Sequence, residues 1–233
     1  MNYVIWNNID SRDIKGLLIC ELPPITKPNM RVKETAIDGV DGSIIEELGY
    51  ESYDKTMTIA LRAGADIDKI MEYFTGNGEL VFSNEPSKYY RARIIKSIDY
   101  ARLLRYRTAK VTFRVQPFKY DLLEVERVAT SERDSMIVEN IGNHTAKPLI
   151  TVTGRGTVML YVNGKEACVI NFKQGESSTI TLDCEKQDAY NELGYQNDKM
   201  RGYFPILEKG NNTISWSKDY FESIQIKRYS RWL

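Results

Sequence analysis

The side chains that most often do chemistry in proteins are few and scattered in this sequence. His144 is the single histidine of the chain, so a Ser-His-Asp or Cys-His arrangement would have to include it, and no G-x-S-x-G motif supplies a nucleophile. The adjacent carboxylates Glu46 and Glu47 could act as an acid–base pair only at a fixed separation across a cleft. With 32 acidic residues in the chain, such neighbours arise freely. The sequence therefore predicts a protein that is not an enzyme.

Two Asp-Gly pairs within residues 38–42 form the local pattern that could bind a metal or a phosphate. A calcium loop that starts at Asp38 needs oxygen ligands at its third and fifth positions and glutamate at its twelfth, where Val40, Gly42 and Gly49 stand. The Gly-Lys-Ser/Thr of a phosphate-binding loop is also absent. Asp-Gly favours a tight turn, because the aspartate bonds its own backbone and glycine accepts positive φ. We predict a turn or bulge between strands, with no metal and no cofactor.

The three cysteines are Cys20, Cys168 and Cys184. An odd number without metal-type spacing argues against a disulfide framework or a zinc site. We expect three buried, reduced thiols, and the pairing of Cys168 with Cys184 across neighbouring strands stays open.

Composition and charge indicate a soluble, folded protein. The chain has 233 residues, with 32 basic and 32 acidic side chains, so its formal net charge is zero. Global electrostatics therefore do not draw it toward nucleic acid or an anionic membrane. The first residues are too polar for a signal peptide, and no apolar run approaches the length of a membrane span. We expect a protein made in the cytoplasm that associates readily.

Basic residues gather between positions 91 and 114, on two predicted strands and their loop. Arg102, Arg105 and Arg107 lie in the loop region. One interpretation is a cationic patch that faces DNA or an acidic partner. The other is a solvated hairpin face whose charges prevent edge pairing, which the zero net charge favours.

The chain is rich in aromatic residues, with 15 tyrosines and three tryptophans. Tyrosine and tryptophan are favoured at protein interfaces and on platforms that stack against sugars. Tyr161, Trp216 and Tyr220 are the candidates for contact with a sugar or a partner. Packing in the core is an equally good interpretation.

The first 120 residues read as a β-rich α+β domain. "YDKTMTIALR" alternates, so Tyr53 and the apolar residues that follow at every second position share one face of a strand. "ADIDKIMEYFTGNG" changes to helical spacing, with Ile67, Ile70, Met71 and Phe74 on one side. "ELVFS", "YYRARIIKSI" and "AKVTFRVQPF" are again strands. We predict one short helix among strands, in a split-barrel-like domain.

The second half reads as an all-β sandwich of the jelly-roll type. Residues 121–134 are charged without a clean strand period, so we interpret them as a connection to a domain that spans 135–233. Asn163-Gly164 between alternating runs is the strongest short hairpin signal in the chain. Further strands follow at short spacing in "STITLDC", "GNNTISW" and "SIQIKRY".

Taken in order, these segments resemble the distal tail protein family of long-tailed bacteriophages and prophages. The resemblance covers nearly the whole chain. Its first part rests on "RVKETAIDGVDGSIIEELGYESY", "GNGELVFSNEPSKYYRARI" and "VTFRVQPFKY", which follow the family's order of I-x-G-x-D-G, G-Y-x-x-Y, G-x-G-x-L, Y-Y-x-A and Q-P-F-x-Y segments. Its second part rests on "ENIGNHTAKPLITVTG", "ITLDCE" and "GYFPILEKGNNTISW".

The resemblance implies a structural virion protein at the tip of the tail. Members of the family form a hexameric ring, often as two stacked rings, through the N-terminal domain, and a galectin-like C-terminal sandwich projects outward. The ring joins the major tail tube protein to the tail-tip protein and to the host-adsorption apparatus, with DNA passing through as cargo. The chain is too short for the long inserted arm of some members, so direct docking of receptor-binding proteins stays open. The alternative function is a module that binds cell-wall carbohydrate.

Overall fold

A computed structural model describes residues 1–39 and 41–233 of the chain. It divides into two compact units, residues 1–122 with Leu233 and residues 123–232. The fold is mostly β. No helix in the described part of the chain combines the length and the apolar composition needed to cross a bilayer.

The first unit is an antiparallel β structure with two short α-helices among its described residues. Seven strands of this unit pair in one sheet in the order β2-β1-β7-β8-β9-β6-β3, while β4 and β5 pair as a separate ribbon. A 3-10 turn spans Ser11–Asp13. The strands are β1 (Val4–Trp6), β2 (Ile9–Asp10), β3 (Leu17–Glu21), β4 (Met30–Ala36), β5 (Ser43–Tyr50), β6 (Tyr53–Leu61), β7 (Asn77–Phe82), β8 (Lys88–Ile94) and β9 (Thr108–Asp121), and the helices are α1 (Ile67–Tyr73) and α2 (Tyr100–Tyr106).

The core of this unit lies on one face of the seven-stranded sheet. On β6, Met57 and Ile59 are buried and the residues between them face outward, so the predicted alternation is confirmed. Phe113 on β9 is fully buried against the rings of Trp6, Phe74 and Phe82. The unit is therefore organised around a cluster of aromatic rings.

Helix α1 covers part of this core and begins where the sequence indicates. The side chain of Asp66 caps it by accepting a hydrogen bond from the Lys69 amide at 3.2 Å. Ile70 is buried, but Met71, expected on the apolar side, is exposed. Tyr73 is buried instead, and its hydroxyl lies within hydrogen-bond distance of two carbonyl oxygens, at 3.2 Å from that of Val4 and 3.1 Å from that of Ile9.

The second α-helix, α2, differs from the sequence prediction of one helix and a strand–loop–strand hairpin. Asp99 caps it by accepting from the Arg102 amide at 2.8 Å. Leu103 is its single buried residue. Because one buried position gives no helical period, the apolar pattern does not reveal this helix.

The second unit consists of two antiparallel sheets. Six strands pair in the order β10-β20-β12-β15-β16-β17, and five in the order β11-β19-β13-β14-β18. A 3-10 turn spans Asn197–Lys199. The strands of these two sheets are β10 (Glu126–Thr130), β11 (Ser135–Asn140), β12 (Leu149–Gly154), β13 (Thr157–Val162), β14 (Lys165–Asn171), β15 (Ser178–Asp183), β16 (Asp188–Asn191), β17 (Gly194–Tyr195), β18 (Met200–Gly202), β19 (Gly210–Trp216) and β20 (Phe221–Lys227). The short strand β21 (Arg231–Trp232) belongs to neither of them.

The two sheets of the second unit share one apolar core, as in a sandwich. Ile150 and Val152 of β12 and Val158 and Leu160 of β13 are all fully buried in it. The hairpin predicted at Asn163-Gly164 is confirmed, because β13 and β14 flank these two residues and both take positive φ, at 52° and 78°. A jelly-roll or galectin-like relationship stays a prediction.

Two details of the sequence interpretation need correction. Glu126–Thr130 is not a connection but strand β10, which pairs with β20 at the edge of the six-stranded sheet. Ala129 is its single buried residue, so the strand shows no apolar alternation. Cys20 is exposed rather than buried, and Cys168 and Cys184 are free thiols in the core. Burial raises the pKa of Cys168 to about 12, which keeps this thiol protonated and unreactive.

Candidate assembly surface

The ribbon of β4 and β5 is the feature of the first unit that most needs a partner. Its described residues are exposed from Arg31 to Gly49, and its two strands pair with each other within the described chain. The two strands are joined through residues 37–39 and 41–42, where the Asp-Gly pairs predict a turn, and Gly39 and Gly42 have positive φ. Val40 lies outside the described residues. Large apolar side chains are exposed along the ribbon at Met30, Val32, Ile37, Ile44, Ile45 and Leu48.

Both faces of the ribbon carry apolar side chains. Residues directly opposite each other in an antiparallel pair project to the same face. Glu34 is opposite Ile45, and Thr35 is opposite Ile44, so the two isoleucines lie on opposite faces. Neither face rests on a core, and a two-stranded ribbon alone is at best marginally stable in water. Exposed apolar surface of this kind marks an interaction site.

The ribbon is anchored to the first unit by the strap, residues 22–29, which connects β3 to β4. Three side chains bind carbonyl groups of the strap. Asn84 Nδ2 donates to the Pro23 carbonyl at 3.2 Å, Lys55 Nζ to the Pro24 carbonyl at 2.9 Å, and the Tyr53 hydroxyl to the Thr26 carbonyl at 3.3 Å. These bonds fix the point from which the ribbon leaves the sheet.

Lys55 belongs to a buried ionic cluster beneath the strap. Its side chain is only 2% exposed, and its Nζ lies 5.1 Å from the centre of the Tyr90 ring. Glu85 accepts a hydrogen bond from the Tyr90 hydroxyl and forms an ion pair with Lys119, whose Nζ lies 2.6 Å from the carboxylate. Lys119 therefore pairs directly with the carboxylate of Glu85, and Lys55 interacts with that carboxylate through its charge.

Burial and charge move the pKa values of this cluster in opposite directions. Burial lowers the pKa of Lys55 to about 8, although the charge of Glu85 opposes that shift. Burial alone would raise the pKa of Glu85, but the hydrogen bonds from Lys119 and Tyr90 outweigh it, and the pKa is lowered. Burial also raises the pKa of Tyr53 to about 12. Glu85 is thus the ionised group on which the cluster depends.

The basic residues predicted as a patch lie together at α2. Arg102 and Arg105 are on the helix, Arg107 is its C-terminal cap with φ of 59°, and all three side chains are exposed. Within the described chain, no carboxylate lies at ion-pair distance from any of the three. The neighbouring Arg91, Arg93 and Arg114 instead line an open cavity with Asn77, Glu79 and Gln116, and Arg114 pairs with Asp54 at 3.0 Å.

The aromatic residues predicted to contact a sugar do not form one platform. Trp216 is a core residue, 5% exposed, with its ring stacked 4.4 Å from that of Phe221. Leu160 is opposite Trp216 in the β13–β19 pair, so Tyr161 projects to the other face of that sheet. Tyr220 is exposed beside Gly156. Trp216 is therefore unavailable to a sugar, because its ring completes the core of the sandwich.

The remaining candidate chemistry is dispersed. His144 is half-buried, contacts Thr145 through Nδ1 at 3.2 Å and forms a β-bridge with Arg231. Glu46 and Glu47 are adjacent on β5 and so point to opposite faces of the ribbon. No group of three or more His, Cys, Asp or Glu side chains in residues 1–39 and 41–233 could hold a metal ion.

Comparison with known proteins relates the chain to one fold. No protein-family model and no curated protein sequence matches it. Among solved structures, it superposes on the crystal structure of the Dit protein of phage SPP1 with a TM-score of 0.72, at 16% identity, over 100% of both chains. The chain has the SPP1 Dit fold. SPP1 Dit is described as a paradigm of the hub adsorption apparatus in phages that infect Gram-positive bacteria.

The correspondence to the Dit fold includes both units, because it extends over the full length of each chain. A chain of the phage P2 baseplate in its activated conformation with Ca also matches, at a TM-score of 0.46 and 12% identity over 98% of both chains. The distal-tail resemblance of the sequence is thus confirmed at the level of the fold.

Proposed function

We propose that this protein is the distal tail hub of a long-tailed phage or prophage. Its copies form a hexameric ring that joins the major tail tube protein to the tail-tip protein and the host-adsorption apparatus. The protein is made in the cytoplasm of the bacterial host and ends at the virion tail tip, and DNA passes through the ring as cargo. This role requires fitted surfaces and no catalytic centre, and the absence of an enzymatic activity is part of the proposal.

One observation carries the proposal. The whole chain, with both units, has the fold of a protein described as a paradigm of the hub adsorption apparatus of phages, at a TM-score of 0.72. A hub role is the function that this fold supports best. The ordered set of segments in the sequence supports the same family independently of the superposition.

The ribbon supplies a physical reason for self-assembly. A head-to-tail contact, repeated by rotation, closes into a ring. Each copy would place its ribbon, with one isoleucine on either face, against the first unit of the next copy. Covering a large aliphatic side chain contributes roughly 1.5–3 kcal/mol. The same contact repeated around the ring would stabilise the ribbon and the assembly together.

The mass of the protein in solution tests both the ring and its joint. We expect light scattering to give six times the chain mass of 26.9 kDa, or a multiple of that value for stacked rings. Ile44→Asp combined with Ile45→Asp would place a charge on each covered face, and we expect each ring contact to weaken by at least about tenfold.

Ile137→Asp is the matched control for this experiment. Ile137 is an isoleucine of a strand in the second unit, 62% exposed, against 59% for Ile44. The control variant should keep the wild-type mass. A ribbon variant that keeps the hexamer would exclude the ribbon as the joint. A wild-type assembly, formed with the tail proteins present, in which the number of copies of this chain is not a multiple of six would contradict the ring.

The arginines of α2 give a second prediction. If Arg102, Arg105 and Arg107 face the lumen, replacing them with Gln, Gln and Asn should leave the ring intact and lower DNA delivery by about tenfold, since charge lining a channel acts on the rate of passage. Asn at 107 tolerates the positive φ of that position. Ring mass and the infectivity of assembled particles are the two measurements. Loss of the ring itself would refute a lumen role.

A further inference from the structure

A cavity on the seven-stranded sheet, on the face away from the aromatic core, is lined mainly by arginine side chains. It has a volume of about 630 Å³ and is open to solvent. We call it the arginine cavity. Its charged lining residues are Arg91 and Arg93 of β8, Arg114 of β9 and Glu79 of β7. Three cations against one carboxylate give the lining a net charge of +2.

Strand register places two of these arginines side by side. Arg93 is opposite Arg114 in the β8–β9 pair, and like charges in such positions repel each other. Arg114 is compensated by Asp54, which also pairs with Lys96 at 2.6 Å. Arg93 is exposed, and within the described chain no carboxylate lies at ion-pair distance from it. The register therefore leaves a place for an anion beside Arg93.

The carboxylate of the arginine cavity does not occupy that place. Glu79 is opposite Arg91 in the β7–β8 pair, whereas the neutral Asn77 is opposite Arg93. The guanidinium of Arg91 lies 4.3 Å from the centre of the Tyr120 ring, a contact that favours a cation. Counting Asp54 and Lys96 with the lining leaves the net charge unchanged, because these two cancel. The arginine cavity therefore favours a partner that carries carboxylates.

One face of the ribbon carries two carboxylates and no basic side chain. In the β4–β5 pair, residues opposite each other project to one face, as do alternate residues of each strand. This face, which we call the acidic face, consists of three opposed pairs, Val32 with Glu47, Glu34 with Ile45 and Ala36 with Ser43. Its two glutamates are exposed, and neither forms an ion pair within the described chain.

The other face of the ribbon lacks this excess of negative charge. Glu46 lies there opposite Lys33, and the two form an ion pair at 3.8 Å. The acidic face is therefore the part of the ribbon that fits a cationic surface.

The arginine cavity and the acidic face match in charge, spacing and polarity. A net charge of +2 on the cavity meets the two carboxylates of the acidic face. Glu34 and Glu47 are diagonal neighbours in the ladder, about 7–8 Å apart, so they can reach different arginines. Ile95 lines the cavity and is 61% exposed, which offers an apolar contact for Ile45.

The chemistry of arginine favours the same fit. Arginine binds carboxylates in a bidentate geometry and is enriched at protein interfaces. Phosphates of DNA would also pair with the arginines, but they would leave Ile95 and the acidic face uncovered.

We propose that the arginine cavity of one copy receives the acidic face of the ribbon of the next copy, with Glu34 or Glu47 paired with Arg93. This inference rests on the proposed ring and names the surface that receives the ribbon. The contact is then held by charge as well as by the burial of apolar side chains.

Exchange of the charges, read out by light scattering over a range of protein concentrations, tests this contact. Arg93→Glu, Glu34→Arg and Glu47→Arg should each raise the concentration at which the ring dissociates by about tenfold, since each weakens the attraction. Arg93→Glu combined with the reversal of its partner glutamate should recover most of that loss, because the exchanged pair attracts again. Added salt should weaken the wild-type contact.

Glu46→Arg combined with Arg93→Glu is the matched control, because Glu46 lies on the other face of the same ribbon. This combination should show no recovery. The proposal is overturned if Arg93→Glu assembles as the wild type does, or if neither Glu34→Arg nor Glu47→Arg recovers assembly in its presence. An Arg93→Glu ring that is intact but delivers DNA poorly would assign the arginine cavity to DNA, which also overturns the proposal.

Cross-linking gives a second measurement that does not depend on the stability of the variant rings. In a Cys20→Ser background, chains with Arg93→Cys would be produced together with chains with Glu47→Cys or Glu34→Cys and treated with a short bismaleimide. We expect a covalent dimer that contains one chain of each kind, and its absence with both partners would contradict the contact.

The two proposals fail in different ways. A wild-type ring without these charge effects or cross-links would overturn the docking of the ribbon and leave the hub role standing. A wild type that forms no ring, even with the tail proteins present, would contradict the hub role and this contact together.

Discussion

Phe113→Ala is expected to lower the free energy of unfolding of the first unit by about 3–5 kcal/mol, the range for deleting a buried aromatic ring. Phe113 is fully buried, and its ring lies 5.3 Å from that of Trp6, 6.3 Å from that of Phe82 and 6.4 Å from that of Phe74. Removing it takes away contacts to all three rings and leaves a cavity between the sheet and α1. Such a loss is a large fraction of the stability of an ordinary domain.

Denaturant unfolding, with hydrogen exchange to locate the effect, measures this change. Amides of β7 and β9 should exchange faster in the variant. Phe113→Leu is the control, because it keeps most of the apolar volume and should cost less. An Ala variant that loses under about 1 kcal/mol would show that the aromatic cluster is not the centre of this core.

Glu85→Gln is the second substitution with a large expected effect, about 3–5 kcal/mol, because it leaves buried lysines without their counter-charge. Lys119 and Glu85 form their ion pair with side chains that are 9% and 12% exposed. Glu79→Gln, which changes an exposed carboxylate on β7, is the control and should be neutral within about 0.5 kcal/mol. Glu85→Gln with Lys119→Met should regain much of the loss, since replacing both partners of a buried pair is often neutral.

The effect of Glu85→Gln should depend on pH with a definite sign. Burial lowers the pKa of Lys55 from 10.5 to about 8, so between these values the unfolded chain binds more protons and stability rises with pH. The charge of Glu85 opposes the lowering of the Lys55 pKa. Removing that charge should lower the Lys55 pKa further, so the pH range over which stability rises should begin at a lower pH. The deficit of the variant should be greatest near neutral pH and should shrink as the pH rises to about 8, above which Lys55 is uncharged in both folded proteins. A deficit that grows with pH would contradict this account of the cluster.

The elements that could be predicted from the sequence are those whose signal is local. The apolar alternation of β6 and β9 is visible in the sequence because each strand has one face on the core and one face outside. Asn163-Gly164 needs no tertiary context, since both residues accept the positive φ that a tight hairpin demands. Asp66 caps α1 for an equally local reason, through the amide of Lys69.

The features that escaped prediction depend on what lies across from them. Helix α2 and strand β10 each bury one side chain, so neither has an apolar period. The core position of Trp216 follows from its contact with Phe221, five residues away and across a turn. The sequence offers no local sign of either arrangement.

The candidate sites could be predicted only in part for the same reason. The Asp-Gly pairs indicate the turn of the ribbon, but adjacent isoleucines such as Ile44 and Ile45 read as a buried strand. Their exposure follows from the absence of a third strand or a core against β4 and β5 in the described chain. Strand order likewise places Thr151 of β12 and Tyr195 of β17 in one row on the six-stranded sheet. Threonine is common in strands, so the residues alone give no such indication.

The attachment of the strap has a mechanical consequence if the chain acts as the proposed tail hub. A pull on the ribbon reaches the sheet through the carbonyls of Pro23, Pro24 and Thr26, which are held by side chains from β6 and from the turn after β7. The tension is thereby shared among these three hydrogen bonds and is not carried by the end of a single strand. Among the three donors, Lys55 has its pKa lowered to about 8 and Tyr53 has its pKa raised to about 12, so alkaline solutions should weaken the bond from Lys55 to the Pro24 carbonyl first.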